Sequence, residues 1–221
     1  KRDFCQKNNV MRTLSAKYLP GIENLSDEEI FNELKLVDRH EIDCVNWEEY
    51  PYTPEAGFHI AFSDKVIAIL FEVNESHVKA VTLENNGPVW EDSCVEFFVA
   101  NPTDDGYFNF EMNCVGTLLA ARRSSRHDAD HFAEEKIGKI RRITSLPHEV
   151  TDSRDTGLSW WAIEVIPFEF MGYDQTPDVL QANLYKCGDK CDQPHFLSWS
   201  PIGLPQPDFH CPEFFGQIVL K

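Results

Sequence analysis

From about residue 42 onward, apolar and polar side chains alternate with a period of two, the repeat of a strand buried on one face. Ten segments carry it: Phe58–Phe62, Val66–Val73, His77–Thr82, Cys94–Ala100, Tyr107–Asn113, Thr117–Arg122, Ile137–Ile143, Ser159–Ile166, Leu180–Cys187 and Gly216–Leu220. Turn formers punctuate them at Asn74-Glu75, Asn85-Asn86-Gly87-Pro88, Asn101 to Gly106 and Asp155-Thr156-Gly157. Many short strands without long intervening helices predict an all-β fold, an antiparallel β-sandwich. The first forty residues read differently. Ser26 to Glu29 spells a capping box, and Ile30, Phe31 and Leu34 follow at helical spacing, so a helix is expected near 27–36. The expected organisation is an extension over 1–42 with one helix packed on a sandwich over 43–221. The segment Asp192–Pro212, rich in Pro, His and aromatics, reads as an ordered loop.

Charge narrows the partners. The chain of 221 residues carries 20 basic and 37 acidic side chains, a formal charge of -17. Such a surface repels nucleic-acid backbones and anionic membranes and suits a neutral ligand or a locally held cation. No apolar run is long enough to span a bilayer, and the start, Lys1 to Val10, lacks an apolar signal core. Seven cysteines, an odd number, exclude complete internal pairing. Several sit in apolar strands, where a thiol behaves as a small hydrophobe, and this favours a reducing compartment or shielded thiols.

The segment Cys94–Asn113 forms the clearest hairpin. Val95, Phe97 and Val99 share one face with Phe108, Phe110 and Met112, which should meet the core. The opposite face gathers Glu96, Tyr107, Asn109, Glu111 and Asn113, a set of amides, carboxylates and a phenol suited to bonding hydroxyl groups. A solvated outer face is the plainer alternative. The tryptophans bear on that choice, because sugar rings present apolar C–H faces that stack on flat aromatic rings. Trp90 lies beside the polar hairpin, and Trp199 lies in the loop from His195. One of Trp160 and Trp161 must face the core, and Trp47 is placed to pack the Tyr50-Pro51-Tyr52 segment against the sheet.

The run from Trp90 to Val99, followed by Tyr107 to Asn113, resembles the family 9 carbohydrate-binding modules, in particular the family-9-like branch of bacterial glycan-utilisation proteins. Asn183 to Asp189, His195 to Trp199 and Pro207 to His210 also resemble that branch, and the likeness covers roughly 43–220. It implies a β-sandwich related to sugar- and haem-binding domains, a carbohydrate ligand and no catalysis. It implies that two Trp rings sandwich a terminal sugar, with Trp90 the first and Trp199 the second, and that Glu96 is an acidic ligand residue. Asn109 stands where better-known modules place an Arg, and Glu111 where they place an Asn. Arg122 and Lys186 are further donors on this reading. The family suggests an exported protein, whereas the thiols favour a reducing place.

Other constellations compete. Glu96 and Glu111 admit a glycosidase pair. Cys187-x-x-x-Cys191 with His195, His210 and Cys211 admits a zinc site, a Cys187–Cys191 disulfide is a further option, and His195 or His210 admits haem. His127 to His131 resembles a metal clasp but reads better as a solvated loop. Neighbouring Arg122, Arg123 and Arg126 either line the cleft or pair with the acidic surface. Relatives contain calcium, yet no calcium-loop pattern is present, so no cofactor is expected beyond calcium as an option.

Overall fold

Period-two patterning becomes fifteen strands in a computed structural model of the chain, which describes residues 10–221. The strands are β1 (Thr13–Ser15), β2 (Lys17–Tyr18), β3 (Arg39–Glu41), β4 (Cys44–Val45), β5 (Glu55–Phe62), β6 (Val66–Ala80), β7 (Cys94–Ala100) and β8 (Tyr107–Asn113), then β9 (Leu118–Ser125), β10 (Asp128–His131), β11 (Arg141–Thr144), β12 (Thr151–Pro167), β13 (Val179–Cys187), β14 (Phe196–Ser198) and β15 (Gly216–Val219). They make two mostly antiparallel sheets. The first runs β1-β15-β13-β7-β8-β9-β10, with β14 beside β13 and β4 beside β14; the second runs β11-β12-β6-β5-β2, with β3 beside β5. The polar start through residue 9, with Cys5, lies outside the described residues.

Side chains from both inner faces interdigitate into the main core. Val95, Phe97, Val99, Phe108, Phe110 and Met112 from the hairpin meet Phe58, Ile60, Phe71 and Trp160 there. The expected inward row of β7 and β8 is therefore the observed one. A second apolar cluster lies on the outer face of the first sheet. There Trp47, Ile202, Phe209, Cys211 and Phe215 cover Phe98, Tyr107 and Tyr185. The third lies outside the second sheet, where α1 (Asp27–Lys35) buries Ile30 and Leu34 against Ala68, Leu70 and Ile163.

The capping box at α1 forms as its sequence prescribes: the Glu29 amide donates to Ser26 Oγ, and the Ser26 amide donates to the Glu29 carboxylate. The segment before residue 43 does more than add a helix. Strand β1 pairs in parallel with β15 of the first sheet, and β2 pairs in parallel with β5 of the second. Residues 13–18 thus bridge the two layers.

Four expectations change. Asn74-Glu75 is no turn, because β6 continues through it and Glu75 is drawn into the interior by polar partners described below. Asp155-Thr156-Gly157 is a bulge inside β12, with Gly157 at a φ of 79°, a left-handed conformation that glycine adopts without strain. The strand expected over Ile137–Ile143 splits into a short helix, α2 (Glu134–Ile137), and β11. The clasp-like His127 to His131 becomes edge strand β10.

Candidate functional site

The outer face of the β7–β8 hairpin is a buried polar floor under a lid, and this is where the site forms. Glu96 and Glu111 are direct cross-strand partners, each only 3% exposed. Asn109, two residues from Glu111 on the same face, donates to Glu111 Oε1 at 2.7 Å and accepts from Arg123 Nε at 3.0 Å. Arg123 also donates to the Arg126 carbonyl at 2.8 Å. The result is a continuous chain from guanidinium through amide to carboxylate. Cys187, on β13, donates its thiol to Glu96 Oε1 at 3.0 Å.

Above this floor is a cavity of about 250 Å³. Glu96, Glu111, Arg123, Cys187 and Asp189 form its polar side, while Trp90, Phe196, Pro207 and Phe209 supply apolar surface. Arg126, His127, Asp208 and His210 complete the rim. Trp90, at 37% exposure, stands out among tryptophans because an indole otherwise gains from burial. Its loop is held by backbone: the Asp189 amide donates to the Trp90 carbonyl at 3.1 Å and the Lys190 amide to the Glu91 carbonyl at 3.2 Å. Asp92 accepts from the amides of Val81 and Thr82, fixing the other side of the same loop.

Crowding acidic groups in a dry place alters their protonation. Burial, then repulsion from Glu111, pushes the Glu96 carboxyl well above the usual range. Burial raises Glu111 to about 7 against the opposing Asn109 hydrogen bond and Arg123 charge. Burial lifts Asp189 to about 6. His210 falls to about 3, through burial and then the charges of Arg123 and Arg126, so its ring is neutral. Tyr107 OH lies 2.9 Å from His210 Nδ1 and aligns the ring that the cavity touches.

Of the residues expected at the site, Trp90, Glu96 and Glu111 line the cavity and Asn109 braces it from below. Tyr107 acts one step away, through His210. Four expectations are corrected. Trp199 is 2% exposed and packs edge-on against Phe58 in the main core, with ring centroids 6.1 Å apart. Parity explains it: Leu197 and Trp199 point inward, Phe196 points outward, and so Phe196 is the aromatic that reaches the cavity. Gly216 makes room for that indole, since a Cβ there would lie 2.6 Å from the Trp199 ring. Asn113 is a turn residue, donating to the Thr82 carbonyl and Asp92 and accepting from the Val115 and Thr117 amides. Arg122 points away and pairs with Asp104 at the surface, while Arg123, one residue on, supplies the guanidinium. Lys186 faces the sandwich interior, fully buried, 3.0 Å from Glu75 Oε2.

The zinc constellation read from spacing does not assemble. Cys191 and Cys187 are both free thiols, His195 bonds Lys186, His210 meets Tyr107, and the Cys211 thiol donates to the Asp208 carbonyl. Asp189 was missing from the sequence-derived set, His127 was read only as part of a solvated loop, and of the arginine cluster Arg123 and Arg126 line the cavity. Asp189 follows Gly188, where a Cβ would collide with His195 and Cys191, so the chain turns sharply back toward Trp90. A glycine-aspartate step after a strand was the available signal.

Fold and cavity together define a β-sandwich ligand-binding domain. A sequence profile of carbohydrate-binding family 9 matches residues 27–220, and the chain belongs to that family. Membership makes it a non-catalytic binding protein. A protein of Bacteroides uniformis, provisionally named a carbohydrate-binding protein, is 38% identical, with a TM-score of 0.90 over 96% of this chain and all of the other. Two structures of a family 9 carbohydrate-binding module from Caldicellulosiruptor kristjanssonii share the fold. The one in complex with glucose is 15% identical, TM-score 0.56, over 95% of this chain and 96% of that one. The one in complex with cellotriose is 13% identical, TM-score 0.58, over 95% and 94%. No curated protein matches. No helix among the described residues is long and apolar enough to cross a membrane.

Proposed function

We propose that the cavity beside Trp90 binds a neutral mono- or oligosaccharide through one terminal sugar ring. One observation carries this reading: a half-buried indole and a buried carboxyl–amide–guanidinium network line one small cavity. The indole offers a flat apolar surface for the C–H face of a sugar, and Phe196 and Phe209 add apolar wall. Glu96 and Glu111 present carboxyl oxygens that accept from hydroxyl groups, and bonds to Glu111 become the stronger, charge-assisted kind where it ionises. Arg123 and Asn109 spend their own hydrogen bonds on holding Glu111, so the floor is rigid before the ligand arrives.

A volume of about 250 Å³ sits below the roughly 300 Å³ at which pockets for drug-sized ligands begin. It suits a single ring, with the rest of a glycan outside. An exported or surface setting fits such a ligand, and the five free cysteines are all buried, so their survival does not require a reducing compartment.

Isothermal titration with glucose and cellotriose tests the site. Trp90→Ala should lower affinity at least about tenfold, about 1.4 kcal/mol, with an unchanged melting midpoint. Wild-type affinity in the variant would remove Trp90 from the site.

A further inference from the structure

We propose that Cys94, Cys187 and Glu96 form a binding site for a thiophilic divalent ion such as zinc, with its open position toward the cavity. The three ligand atoms, two sulfurs and one carboxylate oxygen, lie within 4.8 Å of one another. Strand pairing puts them there. Cys94 and Cys187 are direct partners across β7 and β13, and Glu96 is two residues from Cys94 on the same face. In a tetrahedral zinc site, bonds of about 2.3 Å to sulfur place neighbouring sulfurs about 3.8 Å apart, so only small side-chain rotations separate this arrangement from coordination.

The set has the character of a metal site in other respects. It is buried, and Cys187 and Glu96 line the cavity, which gives an ion its entry path and leaves a fourth position for water or Glu111. Two thiolates select zinc, cadmium or cobalt(II) over calcium or magnesium. Burial keeps both thiols protonated in the metal-free protein, with Cys94 pushed up to about 12. Binding therefore forms two metal–sulfur bonds and one metal–oxygen bond as the two thiol protons, and the Glu96 proton where present, leave to water. Two thiolates, a carboxylate and M²⁺ leave one net negative charge. Lys186 acts electrostatically on Cys94, and Arg123 on Glu96, in the direction that favours those anions.

The full chain, kept reduced with a phosphine, is titrated with Co²⁺ and followed by absorption. One equivalent should give thiolate-to-cobalt charge transfer in the near ultraviolet with tetrahedral d–d bands, and Zn²⁺ should erase both. Cys94→Ala and Cys187→Ala should each lose the charge-transfer band, and Cys211→Ala should keep it. Glu96→Gln, which preserves shape and leaves both sulfurs in place, should weaken Co²⁺ at least tenfold. No charge-transfer band in the wild type, or a band that survives both Cys94→Ala and Cys187→Ala, would overturn the site. No saccharide enters this titration, so its result stands apart from the Trp90 reading.

Discussion

Two buried polar clusters sit on opposite faces of the first sheet, and they end differently. On the inner face, Lys186 donates to His195 Nε2 and to the Cys187 carbonyl, both at 2.7 Å, and lies 3.0 Å from Glu75 Oε2. Glu75 Oε1 accepts from Trp160 Nε1 at 2.7 Å. His195 donates from Nδ1 to the Gln193 carbonyl at 2.8 Å, a neutral tautomer consistent with burial and the Lys186 charge lowering its basicity. That cluster pairs its charges internally and does not line the cavity beside Trp90: Glu75 Oε2 accepts no hydrogen bond among the described residues and is held by the Lys186 ammonium instead. On the outer face, Glu96 and Glu111 each have one oxygen bonded by a protein donor, and both border the cavity. Buried polarity alone does not mark a binding site; unspent capacity beside open volume does.

The comparison can be broken most forcefully at Lys186. Lys186→Met removes the cation beside buried Glu75 and should cost about 3–5 kcal/mol in urea unfolding. Adding Glu75→Gln should restore a large part of that loss. If Lys186→Met alone unfolds as the wild type does, the inner cluster is not self-paired.

Glu164 offers a third case, a carboxyl fully buried on β12 with neither oxygen hydrogen-bonded among the described residues. Burial raises it to about 8, against the pull of Arg142. The folded state therefore holds a proton that the unfolded state releases near 4.5, so stability falls as pH rises from there through 8. The loss is on the order of several kcal/mol. Glu164→Gln should reduce that slope, leaving the contributions of Glu96, Glu111 and Asp189, whose carboxyls burial also raises. An unchanged slope in calorimetry across pH 5 to 8 would show that Glu164 ionises freely.

The smallest effect separates two neighbours. Arg123→Ala, which frees Asn109 from its anchor, should lower cellotriose affinity about tenfold. Arg122→Ala, which removes an exposed pair with Asp104, should leave affinity unchanged and alter stability by less than about 1 kcal/mol. Equal losses from both would mean that strand parity does not set the site.

Much of this was legible in residue order. Alternation along Cys94–Ala100 and Tyr107–Asn113 gave both strands and their inward rows, and the capping box located α1. The same parity, carried across to β9 and β14, would have replaced Arg122 by Arg123 and Trp199 by Phe196. Less accessible was the lid. Trp47, Phe209 and Phe215 come from loops whose positions depend on tertiary packing, so which residues cover the polar face cannot be read from local pattern. Nor does local pattern reveal that Lys186 meets Glu75, since residues 111 positions apart in the chain converge only when the sheets stack.

Trp90 reports on its own cavity. Saturating cellotriose should perturb the tryptophan absorption difference spectrum of the wild type and of Trp161→Phe, and leave Trp90→Phe without a signal. A full perturbation in Trp90→Phe, or its loss in Trp161→Phe, would place the saccharide elsewhere on the molecule.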